Sequence, residues 1–325
     1  MGPSIGAQLI RFVARLVGQA AFRVVAATFL AFFVLENSID GGLRGILLSA
    51  GADPESPRSR AIIERFHLDG NIFERYWSWL SHAATGDFGR STRGDVPVTD
   101  VLLHRLPISL QLMVVGTILA LLIGIPAGLA AAVWADRKKG TVLSAGLGVI
   151  QSIPLYISPV FLIWLFALEL QWLPASGWVR ISESFWGNLE RLILPVTALA
   201  LSEVALVART VRADVYRVLG EDFIAAARGK GLTRPYILLR HALRPGSLGM
   251  LNVLGMNVGN LLSGALLIEI IFGIGGLGRE LFESSINRDL PVLLGLVTYG
   301  VLVYAAVNAA VDVAMYAADP RTRRK

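Results

Sequence analysis

Residues 108–135 read ISLQLMVVGTILALLIGIPAGLAAAVWA, without one charged side chain. About 20 mostly apolar residues in a helix cross the hydrocarbon layer of a bilayer, so this block is long enough to do so. It has company. The stretches 16–35, 141–168, 192–208, 249–272 and 292–318 are also apolar blocks of spanning size. Six spans therefore make an all-α polytopic membrane protein the expected fold class. Composition agrees. Charged residues make up 17% of the chain and hydrophobic residues 54%, with mean hydropathy +0.60. Soluble domains carry about 25% charged residues. Cysteine is absent, which removes any disulfide framework or thiolate metal site.

Arg23 lies inside the first block and must snorkel toward an interface. The basic residues Arg11, Arg15 and Arg23 before an apolar run also suit a signal peptide. No small-x-small cleavage site follows at ENSID, so the block reads as a span. Ile5, Leu9, Phe12 and Val13 at helical spacing suit a preceding helix in the interface.

Orientation follows from the short loops. DRKKG (136–140), the 209–246 loop and the tail RTRRK are basic. With six spans all three fall on one side, which the positive-inside rule makes cytoplasmic, together with both termini. The expected organisation is an N-terminal segment and first helix (1–35), an extracytoplasmic subdomain (36–107), a core (108–318) containing the 209–246 loop, and a basic tail (319–325). The subdomain holds two amphipathic pieces, RAIIERFHL and IFERYWSWL. Trp134, Trp164, Trp172 and Trp178 fall near span ends, as interfacial anchors do.

Several motifs that suggest enzyme chemistry fail on context. FGIGGLG (272–278) spells the dinucleotide fingerprint G-x-G-x-x-G with Gly273, Gly275 and Gly278. That fingerprint needs a strand before it and a soluble βαβ unit after it. Here a spanning block precedes it and another begins near Pro291, so a glycine-rich extracytoplasmic turn leading into a short helix is expected instead. GPSIG (2–6) copies a nucleophile elbow, which needs a strand-turn-helix that an N-terminus like this one does not supply. His67, His82, His104 and His241 form no close pair, and no phosphate-binding loop is present.

The informative stretch is VLGEDFIAAARGKGLTRPYILLRHALRPG, 218–246. Glu221 and Asp222 favour the positive end of a helix. Ala225, Ala226 and Ala227 give that helix a smooth surface. Gly229 and Gly231 are expected to end it with left-handed backbone. Thr233 is placed to cap a second helix, with Pro235 in its first turn. A solvated basic loop or a DNA-reading helix-turn-helix are the competing readings. The latter needs a free recognition helix, whereas the second helix here is tethered to a span.

At this stretch the chain resembles the membrane permeases of ABC importers, specifically the oligopeptide/dipeptide group. Their Ala-rich cytoplasmic loop matches AAARGKGL, Ala225–Leu232. TGDFGRS (85–91), PVTDVLLHRLPISLQL (97–112), LPASGW (173–178), ILPVTALAL (193–201), NRDLP (287–291) and ADPR (318–321) are similar to the group's landmarks, in order. Departures are Ala225 in place of the consensus Glu, Gly229 in place of Ala, Pro245-Gly246 at the loop's end, and Gly275 in place of Pro.

The resemblance implies a type I ABC importer permease fold. It implies that Ala225, Ala226, Ala227, Gly229, Gly231 and Leu232 couple to the ATPases. It also implies that Gly275, Gly276 and Gly278 form an extracytoplasmic turn. The implied partners are a second homologous permease, two ATPase subunits or one fused double ATPase, an extracytoplasmic peptide-binding protein and membrane lipid, with no nucleic acid. ATP and Mg would be held by the ATPases, with no cofactor and no catalytic site in this chain. The implied location is a bacterial inner membrane. Nickel and glutathione are alternative cargoes, because relatives of the group carry them. A stand-alone secondary transporter is less favoured, since no inverted repeat is evident.

Inside the spans, Asn252, Gly255, Gly259 and Ser263 share a helical face, with Asn260 beside it. Gly255-x-x-x-Gly259 is a small-residue pair that lets helices approach closely. The face suits either tight packing or a polar pathway at the seam between two permeases. Glu203 lies within the fourth block as either a functional acid or a buried pair with an Arg.

Overall fold

The computed structural model describes residues 5–37 and 71–318. Among these every regular element is helical, and the only β-type pairing is a single bridge between Arg90 and Pro97. We number the helices α1 (Ile5–Asn37), α2 (Ile72–Ala84), α3 (Val98–Val133), α4 (Lys138–Ser152), α5 (Ile157–Leu162, continued by a π-helix over Ile163–Glu169), α6 (Phe185–Leu219), α7 (Asp222–Gly229), α8 (Arg234–Tyr236, followed by a π-helix over Ile237–Ala242), α9 (Leu243–Ile271), α10 (Leu277–Ile286) and α11 (Leu290–Ala318).

Among the described residues four helices are long and apolar enough to cross a membrane: α1, α3, α6 and α11. The block 141–168 is not one straight helix. Lys138–Ser152 and Ile157–Glu169 meet at a bend of 99°. Pro154 explains the break. It lacks an N–H for the helical ladder and pushes Ile153 out of the helical region, to φ −72 and ψ 120. Counted as one span, this bent pair makes a fifth, and α9 contributes the shorter apolar segment Gly259–Ile271. The separate interfacial helix expected over 5–15 is instead continuous with the first span, since α1 runs unbroken from Ile5.

The chain divides into two compact units, Met1–Pro107 with Gly276–Ala309, and Ile108–Gly275 with Ala310–Lys325. In the first unit α2 is the amphipathic piece IFERYWSWL. Asn71 starts it with a capping box, accepting from the Phe73 N–H while Glu74 accepts from the Asn71 N–H. Its Tyr76 is buried against Phe29 and Phe32 of α1, and the phenol donates to the Val25 carbonyl at 2.9 Å. The segment RAIIERFHL lies outside the described residues. Elsewhere in this unit Val98 and Leu102 pack with Val292 and Leu296 of α11.

In the second unit α6 is the central helix. Its buried side runs from Leu192 to Val218. The glycines of GIPAG in α3 lie against it. A Cβ on Gly128 would sit 2.5 Å from the Ala208 carbonyl oxygen, and one on Gly124 would sit 2.9 Å from Val207. This is a small-xxx-small approach of two backbones. It lies on α3, a helix for which the sequence raised no such expectation.

Candidate functional site

The 209–246 region is more helical than a loop. Its first part, to Leu219, simply extends α6. After a turn at Gly220, Glu221 takes the N-cap position of α7 with extended backbone, and Asp222 stands in the first turn. The helix is amphipathic on a small scale. Ile224 and Ala227 point inward and pack with Val215, Val218, Ile237 and Ala242. Ala225, Ala226 and Arg228 point outward. The exposed side is small at Ala225 and Ala226; Phe223 and Leu232 are its larger apolar members and Asp222 and Arg228 its charged ones.

The end of α7 is a Schellman motif. The Leu232 N–H reaches back to the Ala227 carbonyl at 3.3 Å, and the Gly231 N–H to the Arg228 carbonyl at 3.0 Å. Gly231 supplies the left-handed backbone this closure needs, at φ +78. Gly229 does not share that task, contrary to the sequence expectation. It is the last helical residue, and a Cβ there would meet nothing within 4 Å. Thr233 does precede the next helix in extended conformation, but its side chain makes no capping bond. Pro235 occupies the first turn as expected. From there the chain passes through a π-helical turn into α9, so α7 is tied to the start of a long apolar helix by its own packing.

On α9 the nominated face is graded. Gly255 is buried within the chain, Gly259 half-buried, and Asn260 and Ser263 exposed. The side chain of Asn252 lies outside the described residues. The Ser263 hydroxyl donates to the Gly259 carbonyl at 3.0 Å. Gly255 thus does not share an outward face with Ser263. Among the described side chains, the exposed polar part of this face is the turn containing Asn260 and Ser263.

Glu203 is buried on α6, and its partner is an amide rather than an arginine. Asn257 donates to the Glu203 carboxylate, and Asn260 donates to the Asn257 carbonyl oxygen at 2.7 Å. Asn257 escaped the sequence reading, although as a polar residue in an apolar block it was visible. Glu269, fully buried on the same helix, accepts from Ser109 of α3 at 2.5 Å and was likewise missed. Nearby, Gln111 and Asn188 bond each other at 2.6 Å, and Asn188 donates to the Val179 carbonyl beyond LPASGW.

The glycine-rich turn follows a helix, since LLIEIIF is the end of α9 and the start of its cap, not a strand. Gly273 is the residue with left-handed backbone there, at φ +66. Phe272 and Ile274 are buried, and the Ile274 N–H bonds the Glu269 carbonyl at 2.8 Å. Gly276 caps α10, and Gly278 lies in its first turn.

Comparison with known proteins bears on most of the chain. Residues 124–324 match the family described as binding-protein-dependent transport system inner membrane component. The oligopeptide transport system permease protein OppB of Salmonella typhimurium is 36% identical over 82% of this chain and 86% of its own. The glutathione transport system permease protein GsiC of Shigella flexneri is 32% identical over 86% of this chain and 88% of its own. A putative peptide transport system permease protein of Brucella abortus is 32% identical over 90% and 92%. Among solved structures, a chain of the inward-facing MetNI methionine ABC transporter covers 67% of this chain and 96% of its own, with TM-score 0.52 and 19% identity. That last likeness speaks for the fold alone.

Proposed function

This chain belongs to the binding-protein-dependent transport system inner membrane component family, and we propose that within it the chain is a permease subunit conducting peptides in an ATP-driven importer. Members of the family are multi-pass membrane subunits with no ATPase site of their own, hydrolysis being done by partner subunits. The observation that carries the peptide reading is the 36% identity to an oligopeptide permease along 82% of this chain.

In this reading the chain forms half of a pathway with a second, similar permease. Two ATPase subunits, or one fused double ATPase, dock on one side, and an extracytoplasmic binding protein delivers cargo on the other. The exposed Ala225 and Ala226 and the Schellman closure at Gly231 support α7 as the docking element. A helix with small outward side chains can enter a groove closely, and its buried Ile224 and Ala227 pass a push on to α6 and α9. The topology is six spans with both termini cytoplasmic and 36–107 outside. The pathway lies along the exposed polar part of α9, and Gly275, Gly276 and Gly278 belong to the extracytoplasmic side.

Co-purification tests the assembly: the tagged chain should bring down two ATPases and a second permease. Uptake tests the cargo. Tripeptide uptake by cells should stop when ATP is depleted with the proton gradient held constant. Continued uptake would favour a secondary transporter. Glutathione is the second reading, favoured by the 32% identity to a glutathione permease. Competition of glutathione against a labelled tripeptide separates the two.

A further inference from the structure

We propose that Glu203, Asn257 and Asn260 form a polar relay whose outer end is a subsite for the α-ammonium group of a peptide passing along α9. The inference rests on the peptide reading above and adds a named recognition element to it.

The direction of the relay is fixed by chemistry. The Glu203 oxygen that Asn257 meets serves as an acceptor. The amide nitrogen of Asn257 must therefore face Glu203, which leaves its carbonyl oxygen turned away, where Asn260 donates to it at 2.7 Å. Asn260 then spends one of its two N–H groups inward, which leaves Oδ1 and the second N–H for the outer side. Both amides are aligned by the acid behind them. Aligned hydrogen-bond chains polarise one another, so the outer oxygen is a stronger acceptor than that of a lone amide.

Ser263 reinforces the same character. It lies three residues on, one helical turn along the same side. Its hydroxyl proton is committed to the Gly259 carbonyl, so what it offers outward is lone pairs. Exposed Asn260 and Ser263 thus present acceptors, backed by a buried acid, on a helix whose only basic residue is Arg244, near its first turn. Polar groups of this kind are costly against lipid and are found facing protein or water-filled cavities. A patch dominated by acceptor oxygens, with Glu203 behind it, favours a strong donor carrying positive charge. The amino terminus of a peptide is that group, whereas the peptide's carboxylate end has no hydrogen to donate to these oxygens.

The test uses the complete importer, with both permeases, the ATPases and the binding protein, in proteoliposomes. Trialanine is the cargo and uptake per hydrolysed ATP the readout. Three variants place different chemistry at the outer end: Asn260→Asp, Asn260→Leu and Asn260→Lys. We expect Asn260→Asp to transport at least as well as the native chain. Asn260→Leu should lose about tenfold, as removal of a hydrogen bond to a charged group does. Asn260→Lys should fall below Asn260→Leu, because its own ammonium occupies the subsite. Glu203→Gln should lower uptake while Asn260→Asp in the same chain restores it. Pull-down of the second permease should be unchanged throughout. Asp and Lys being equally harmful, all three being harmless, or loss of the second permease from the complex would each overturn the subsite. A native importer that moves no trialanine at all would instead sink the peptide reading, and the native control reports that separately.

Discussion

Ser91 donates a hydrogen bond to the carboxylate of Asp289, a residue 198 positions further along the chain. Asp289 is buried and also accepts from the backbone N–H of Thr92 at 3.2 Å. The segments TGDFGRS and NRDLP, far apart in sequence, are thus one structural feature. The carboxylate ties the turn that precedes α3 to the turn that precedes α11.

Removing that carboxylate leaves the Ser91 hydroxyl and the Thr92 N–H without their acceptor. Asp289→Ala should cost about 1–3 kcal/mol, the usual penalty for an orphaned buried partner. Asp289→Asn keeps an acceptor and should cost less. Thermal unfolding of the purified complex in detergent, followed by light scattering, checks the order. Equal melting for Asp289→Ala and the native chain would mean that this tie contributes nothing.

The contact of α3 with α6 makes a second, steeper prediction. A side chain at Gly128 must displace the backbone carbonyl of Ala208, which cannot rotate away as a side chain can. Gly128→Val should lower the amount of folded protein recovered from membranes several-fold, since overpacking of this kind costs about 1–3 kcal/mol or more. Gly146→Ala is the control, because a Cβ there meets nothing within 4 Å. Quantitative blotting after gel filtration distinguishes the two.

What was legible in the sequence was what depends on one helix at a time. Long apolar blocks locate α3 and α11 because the bilayer demands apolar length from each alone. The turn after Ala227 follows from local backbone chemistry at Gly231. Pairings between helices were not legible. Inside a membrane nearly every position is apolar, so no periodicity tells Gly124 and Gly128 from glycines that touch nothing. Asn257 was visible as a polar residue, but its pairing shows only once α6 brings Glu203 beside it. Pro154 was visible, but a proline in a span can be accommodated by neighbours. That here it turns the chain by 99° emerged only from the structure.

At the end of α7 two glycines separate backbone need from mere smallness. Gly231→Val should be harmful, because left-handed backbone costs about 1–2 kcal/mol outside glycine and a β-branched residue suffers most. Gly229→Ala should be neutral in stability and in function, since the position is helical and open. Peptide-stimulated ATP hydrolysis of the assembled importer is the measurement. Normal stimulation with Gly231→Val would remove the reason to place coupling here.

Packing and docking can also be pulled apart along one turn of α7. Ala226 is exposed and Ile224 fully buried. Ala226→Glu should leave thermal stability unchanged while the ATPases no longer co-purify, because a charge then enters a desolvated contact. Ile224→Ala should do the reverse at first order. It should cost about 2–4 kcal/mol of local packing while leaving the docking face intact. If Ala226→Glu retains its ATPases at native stoichiometry, α7 is not the docking element.

Topology gives the last prediction, and the absence of native cysteine makes it clean. Thr233 is exposed, beyond the Schellman closure of α7, and Ser78 is exposed on α2. If the basic segments face the cytoplasm, these two positions lie on opposite sides of the membrane. A Ser78→Cys variant should react in intact spheroplasts with a membrane-impermeant maleimide. A Thr233→Cys variant should react only after the membrane is opened. Both positions are solvent-accessible in the chain, so a failure to react reports the membrane rather than burial. Labelling of Thr233→Cys from outside would invert the orientation. It would also place α7 on the side where no ATPase, and no ATP, is available to it.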